Sequence, residues 1–149
     1  MEQDQLAYPD LLVPRDYLIR AHDFYSACRV LPDFHRGFMP LWPQLALFGL
    51  AIELVLKAYL LSKGESREKL KHNYGHKLEK LYLRSIELGL QNDERIGRMI
   101  GFINEPYSIH MPRYPDPETI GKAVATVPQF YEDYDGLVKA VNEAISRIA

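Results

Sequence analysis

Residues 45–64 read LALFGLAIELVLKAYLLSKG, and from Leu45 to Leu61 the stretch is apolar on every face except at Glu53 and Lys57. A helix that is hydrophobic all round is buried on all sides, in a protein core or in a membrane. A spanning helix needs ~20 consecutive, predominantly apolar residues, and the uncharged runs here are shorter. Glu53 and Lys57 would also fall near mid-bilayer, where ionisable groups are expensive. The stretch is therefore expected to be the buried central helix of a bundle. Its acid precedes its base by four residues, which puts both side chains on one helical face. Buried ions are costly unless paired and hydrogen-bonded, so this face needs partners from elsewhere in the chain.

The flanks of the stretch carry its boundaries. Pro40 or Pro43 suits the opening turn, and Gly64 is placed to stop the helix. Gly49 costs about 1 kcal/mol relative to alanine inside a helix, which implies close approach of another helix. Upstream, Tyr17, Ala21, Phe24, Cys28 and Leu31 recur at three- and four-residue steps. That pattern predicts a first helix from about Pro14 to Leu31, with Asp16 in its first turn and Pro32 at its end. Residues 1–13 are expected to form a loose N-terminal arm or a lead-in to the first helix. Between the two helices lies PDFHRGFMPLWP, where Phe34, Phe38 and Trp42 either cap the core or line a pocket.

Downstream, Lys63 to Arg84 holds seven Lys or Arg and three Glu, the one basic segment of the chain. It reads either as a solvated face or as a binding surface. A third helix is predicted from His76 or Lys77 to Leu88, with Leu78, Leu81, Tyr82 and Ile86 inward and Gly89 closing it. Asn92 is the expected N-cap of a fourth, with Ile96, Met99, Ile100 and Ile103 inward, stopped at Asn104-Glu105-Pro106. The loop PYSIHMPRYPDPE (106–118) follows, and loops of this length without regular structure are often functional. Asp116-Pro117-Glu118 reads as the start of a helix that includes Ala123, Val124 and Val127, kinked or restarted at Pro128. Phe130, Tyr131, Tyr134, Leu137, Val138, Val141, Ile145 and Ile148 then keep helical spacing. No stretch alternates with a period of two. The expected fold is all-α: one domain over residues 1–149, an antiparallel bundle of five or six helices.

Composition narrows the function classes. With 47% hydrophobic and 26% charged residues among 149, the chain has an ordinary globular balance. A net charge of −2 provides no global basic field for nucleic acid. The single cysteine, Cys28, rules out an internal disulfide and fits a reducing compartment; the N-terminus lacks the pattern of a secretory leader, so a cytoplasmic location is expected. There is neither a glycine-rich phosphate loop nor a dinucleotide fingerprint. His72 and His76 are four apart, but Asn73 and Gly75 make a turn there and no third ligand is suggested, so no metal is expected. No cofactor is expected either. Cys28 lies on an apolar stripe and reads as packing.

The combination of LAIELVLKAYLLSKG (50–64), NYGHKLEKLY (73–82) and PRYP (112–115) resembles the HEPN domain family (higher eukaryotes and prokaryotes nucleotide-binding). Its central-helix pattern matches Glu53, Lys57, Ala58 and Gly64, and its Gly-His-x-Leu segment matches Gly75, His76 and Leu78. Arg113, Tyr114 and Pro115 are similar to an element of substrate-binding members. Many members are metal-independent RNases with an Arg-x4–6-His motif, usually on a late helix near the dimer interface. Three pairs match by spacing, Arg15 with His22, Arg29 with His35 and Arg67 with His72, and none lies in the C-terminal helices. Other members bind nucleotides or substrates as partners of small nucleotidyltransferases in toxin–antitoxin or defence systems, and this chain looks more like those.

For binding, His76 at the start of the third helix is expected to approach the Glu53–Lys57 face. With Arg113 and Tyr114 it would form a cationic, aromatic cleft suited to a phosphate or a base. The competing expectation is that Glu53 simply pins the His76 turn, since buried polar groups need partners in any case. Two further classes stay open. One is an endoribonuclease in which a histidine acts as general base and an arginine steadies the phosphorane charge. The other is a homodimerising module that uses Phe34 to Trp42 and the C-terminal helix.

Overall fold

The computed structural model describes residues 7–31, 41–110 and 127–147, with side chains from residue 13 onward in the first helix. Residues 41–62 form one uninterrupted helix, α2 (Leu41–Ser62), with Pro43 in its opening turn. It touches α1 (Ala7–Val30), α4 (Leu78–Glu87), α5 (Glu94–Ser108) and α6 (Tyr131–Ser146). Between α2 and α4, a single turn, α3 (Arg67–Lys69), runs into a π-helical stretch over Leu70–Tyr74. A 3-10 turn, Val127–Phe130, leads into α6, so the chain restarts its helix just past Pro128. All regular structure among the described residues is helical.

The core follows the apolar periodicity. Phe48, Ile52, Leu56 and Leu60 of α2 are buried with Leu78 and Leu81 of α4, Met99 and Ile103 of α5, and Leu137 and Val141 of α6. From α1 come Ala21, Tyr25 and Cys28. Among the described residues α2 is the one helix long and apolar enough to cross a membrane, yet 61% of its most apolar window is buried inside the chain. Surrounding helices explain its all-round hydrophobicity.

Glycines end two of the helices. Gly64 has φ +95°, its N–H bonds to Leu61 O at 3.0 Å, and the Glu65 N–H returns to Leu60 O at 3.1 Å. Gly89, at φ +112°, repeats this pairing, with its own N–H on Ile86 O and the Leu90 N–H on Ser85 O. These are Schellman caps, which need a left-handed residue that glycine adopts without a Cβ clash.

Four expectations are corrected. The first helix begins at Ala7, so residues 7–13 are not a loose arm and Pro14 lies inside it. A proline there forfeits one hydrogen bond, and burial of Pro14 helps to offset that loss. The N-cap of α5 is Asp93 rather than Asn92; its carboxylate accepts from the N–H groups of Arg95 (2.8 Å) and Ile96 (3.1 Å). Pro106 does not stop α5, which continues to Ser108 because Pro106 and Tyr107 are both buried against the core. Asn104, expected at that stop, instead caps the neighbouring helix: its Oδ1 accepts from the Glu79 N–H at 3.1 Å. The expected helix opening at Asp116 lies outside the described residues, as do Phe34, Phe38 and Ile148.

Candidate functional site

The turn that delivers His76 to α2 is built from local rules. Gly75 has φ +53° and closes the π-helical stretch with a hydrogen bond from its N–H to Leu70 O at 3.1 Å. The Lys77 N–H then bonds to Tyr74 O at 3.0 Å, and α4 starts at Leu78. His76 is thereby held between two helical segments with its ring turned toward the middle of α2.

There it meets Glu53, whose side chain is only 4% exposed. Glu53 Oε1 lies 2.6 Å from His76 Nδ1, and Oε2 lies 3.7 Å from Lys57 Nζ. An ionised carboxylate only accepts, so Nδ1 carries the proton and donates it. A buried carboxylate between two such groups is stabilised, whereas removing either leaves it under-paired. The His76 side chain remains 46% exposed, and the Glu53 contact leaves its other nitrogen, Nε2, uncommitted. That nitrogen accepts a proton in the neutral ring and donates one in the cation.

The end of α5 supplies the rest. A Cβ on Gly49 would overlap Cγ and Cδ2 of Tyr107, so the absent side chain is what lets Tyr107 lie directly on α2. The His76 and Tyr107 rings meet in a T-shaped pair, 6.1 Å between centroids. It also meets the His110 ring at 5.3 Å in a T-shaped pair. His110 has φ +61°, a left-handed conformation that costs a non-glycine residue roughly 1 kcal/mol or more. Two imidazoles, a tyrosine ring and a buried, paired carboxylate thus share one corner, with hydrogen-bonding groups and ring surfaces that can face a planar group.

Of the residues singled out by sequence, Glu53, Lys57 and His76 are brought together. Arg113 and Tyr114 lie outside the described residues, as does His35, the partner proposed for Arg29. His110 was missed. Its only signal was its place three residues before Arg113 in the proline-rich loop, with no pattern to tie it to His76. The remaining Arg–His pairs are not joined. Arg15 and His22 are both exposed on α1, where His22 contacts Ser26 Oγ at 3.4 Å, and Arg67 and His72 are both exposed. Among the described residues no hydrogen bond links either arginine to its histidine. No group of three or more His, Cys, Asp or Glu there is placed to hold a metal ion.

The basic segment is partly neutralised from within. Arg84 Nε lies 2.7 Å and Lys69 Nζ 3.2 Å from Oε1 of the buried Glu65, and Arg84 also reaches Glu87 at 2.9 Å. Lys63 sits over the Tyr59 ring at 5.4 Å. Lys71, Lys77 and Lys80 are exposed. Cys28 is buried, its Sγ 3.5 Å from Gln44 O and 3.9 Å from the Tyr131 hydroxyl, and burial pushes its thiol up. Compared with protein-family models, with curated proteins and with solved structures, the chain matches none.

Proposed function

We propose that this chain is a HEPN-like helical module of the cytoplasm that binds a nucleotide or RNA at the His76 corner. In this reading it works as a homodimer beside a small nucleotidyltransferase partner. The observation that carries the proposal is the 2.6 Å contact between Glu53 Oε1 and His76 Nδ1. It commits one imidazole nitrogen to the buried carboxylate and leaves the other uncommitted, on a half-exposed ring that meets His110 and precedes Arg113 and Tyr114 in sequence. Imidazole donors and aromatic rings on which a base can stack suit a phosphate oxygen and a base face. A binding role is favoured over metal-independent RNA cleavage because the described Arg–His pairs are not joined.

Isothermal titration of the whole chain with AMP, ATP and a short single-stranded RNA, at low and moderate salt, tests this. Binding that falls with salt is expected, because phosphate contacts release counterions. His110→Ala should weaken it by about tenfold while leaving the Glu53–His76 contact intact. Absence of binding to all three ligands would remove the nucleic-acid reading. RNA cleavage that survives EDTA and is lost in His22→Ala or His72→Ala would replace it with the endoribonuclease.

A further inference from the structure

The His76 corner holds more imidazole than a structural pin requires. His76 Nδ1–H donates to Glu53 Oε1 at 2.6 Å, and that contact alone holds the turn against α2. It gives no reason for His110. The end of α5 brings that residue in: Tyr107 lies on α2 over Gly49, and the His110 N–H bonds to Tyr107 O at 3.1 Å in the left-handed turn. The His110 ring then stands 5.3 Å from the His76 ring, centroid to centroid, with the two planes 77° apart. Among the described residues, neither Nε2 of His76 nor either ring nitrogen of His110 makes a hydrogen bond.

A carboxylate on Nδ1–H with Nε2 left open is the arrangement by which proteins orient a metal-binding imidazole. The hydrogen bond fixes the tautomer and makes the other nitrogen a better ligand. The ring spacing agrees. Two imidazoles on one tetrahedral zinc, each with a Zn–N bond of about 2.1 Å, have ring centroids about 5 Å apart. The His110 ring is half-buried, and turning one of its nitrogens toward His76 breaks no hydrogen bond. Lys57 Nζ, 3.7 Å from Oε2, balances the Glu53 charge, so the corner offers an ion neutral nitrogen ligands and no net charge. Hard cations, which take oxygen ligands, do not suit it, whereas the borderline ions that imidazole binds do.

We infer that Nε2 of His76 and one ring nitrogen of His110 bind a divalent transition-metal ion of the zinc class, with Glu53 as the orienting carboxylate behind His76. Two protein ligands are fewer than the three or four of catalytic and structural zinc sites. The remaining positions are open to water or an anionic oxygen, and binding is weaker than at a closed structural site. The second imidazole is His110 and not His72, the neighbour that sequence spacing offers. The ion would occupy the corner to which nucleotide binding is assigned, but the inference does not rest on that reading, because the protein's own nitrogens hold the ion.

Calorimetric titration of the full, metal-stripped chain with zinc chloride, without nucleotide, tests the assignment. A single saturable site is expected. His76→Ala and His110→Ala should each weaken it by about tenfold or more, and Glu53→Gln by about 10–100-fold through the loss of the orienting carboxylate. His72→Ala should leave it unchanged. His110 is half-buried at a helix end, so His110→Ala keeps the fold, as circular dichroism will verify, and it decides the question if Glu53→Gln does not fold. Nitrogen NMR gives a readout that a mere pin would not move: zinc should shift the ring signals of two of the five histidines, the two that disappear in His76→Ala and His110→Ala. Absence of a saturable site up to about 0.5 mM zinc overturns the inference. So does zinc binding that His110→Ala leaves unchanged, or zinc shifts confined to the other histidines. Zinc binding by a chain that ignores AMP, ATP and RNA upholds this inference and removes the nucleotide reading, and nucleotide binding by a chain that ignores zinc does the reverse.

Discussion

At Gly49 the absence of one methyl group sets how closely α5 approaches α2. Gly49→Ala would gain about 1 kcal/mol of helix propensity. Its Cβ would also overlap Cγ and Cδ2 of Tyr107, atoms next to the backbone that cannot swing away as a flexible tip can. Overpacking of this kind costs about 1–3 kcal/mol, and an overlap this deep with ring atoms belongs at the upper end, so a net loss of about 2 kcal/mol is expected in urea denaturation. A neutral or stabilising result would mean that Tyr107 does not lie on α2. The single cysteine makes a second residue-scale prediction. Cys28 has 0% of its surface exposed and its thiol is pushed up by burial, so little reactive thiolate forms at neutral pH. Iodoacetamide should leave native protein unlabelled and modify it fully in denaturant. Fast labelling of the native chain would place Cys28 outside the core.

The junction between α2 and α4 depends on Glu65, which follows directly on the Gly64 cap. Burial alone would raise its carboxyl, but the hydrogen bonds from Arg84 and Lys69 outweigh that and hold it below the usual glutamate range. A carboxyl with a depressed folded value contributes stability that is complete above its unfolded value, about 4.3, and is lost as pH falls through the folded one. Glu65→Gln should therefore lower the urea midpoint at about pH 7, with the gap to wild type closing as the pH is lowered into the acid range. A gap independent of pH would mean that the Glu65 charge plays no part. The caps and stripes of these helices were legible from sequence because they are local: Gly64 and Gly89 each follow the last residue of an apolar period. Pro106 and Asn104 were not. Local rules end a helix there, but the docking of Pro106 and Tyr107 and the capping of α4 by Asn104 are tertiary contacts that override them. The Glu53–His76 contact was legible for a different reason. Two charges in an apolar helix must find partners, and His76 opened the next helix. His110 was hidden because its role depends on a left-handed turn that no sequence pattern marks.

Across the whole molecule, α2 is the element that the other long helices share, so damage to its core face should be felt everywhere at once. Phe48 is fully buried, with ring centroids 6.3 Å from Tyr25 of α1 and 6.0 and 5.6 Å from Tyr131 and Tyr134 of α6. The aromatic cluster ties three helices, and the other side of α2 packs on α4 and α5. Two arrangements of stability are conceivable: a single cooperative unit, or an α1–α2–α6 unit that melts apart from α4 and α5. Shared use of α2 favours the first, because neither group keeps its core when α2 leaves. Phe48→Ala should then cost about 3–5 kcal/mol, a large share of the total stability of a domain this size. The chain's single tryptophan, Trp42, sits at the start of α2 and reports on that helix by fluorescence, while far-UV circular dichroism reports on all helices together. Both signals should keep one common midpoint in wild type and move together in Phe48→Ala. If the Trp42 midpoint falls while most of the helical signal stays behind, α4 and α5 hold a core of their own, and the His76 corner, which spans α2, α4 and α5, would open before the chain unfolds.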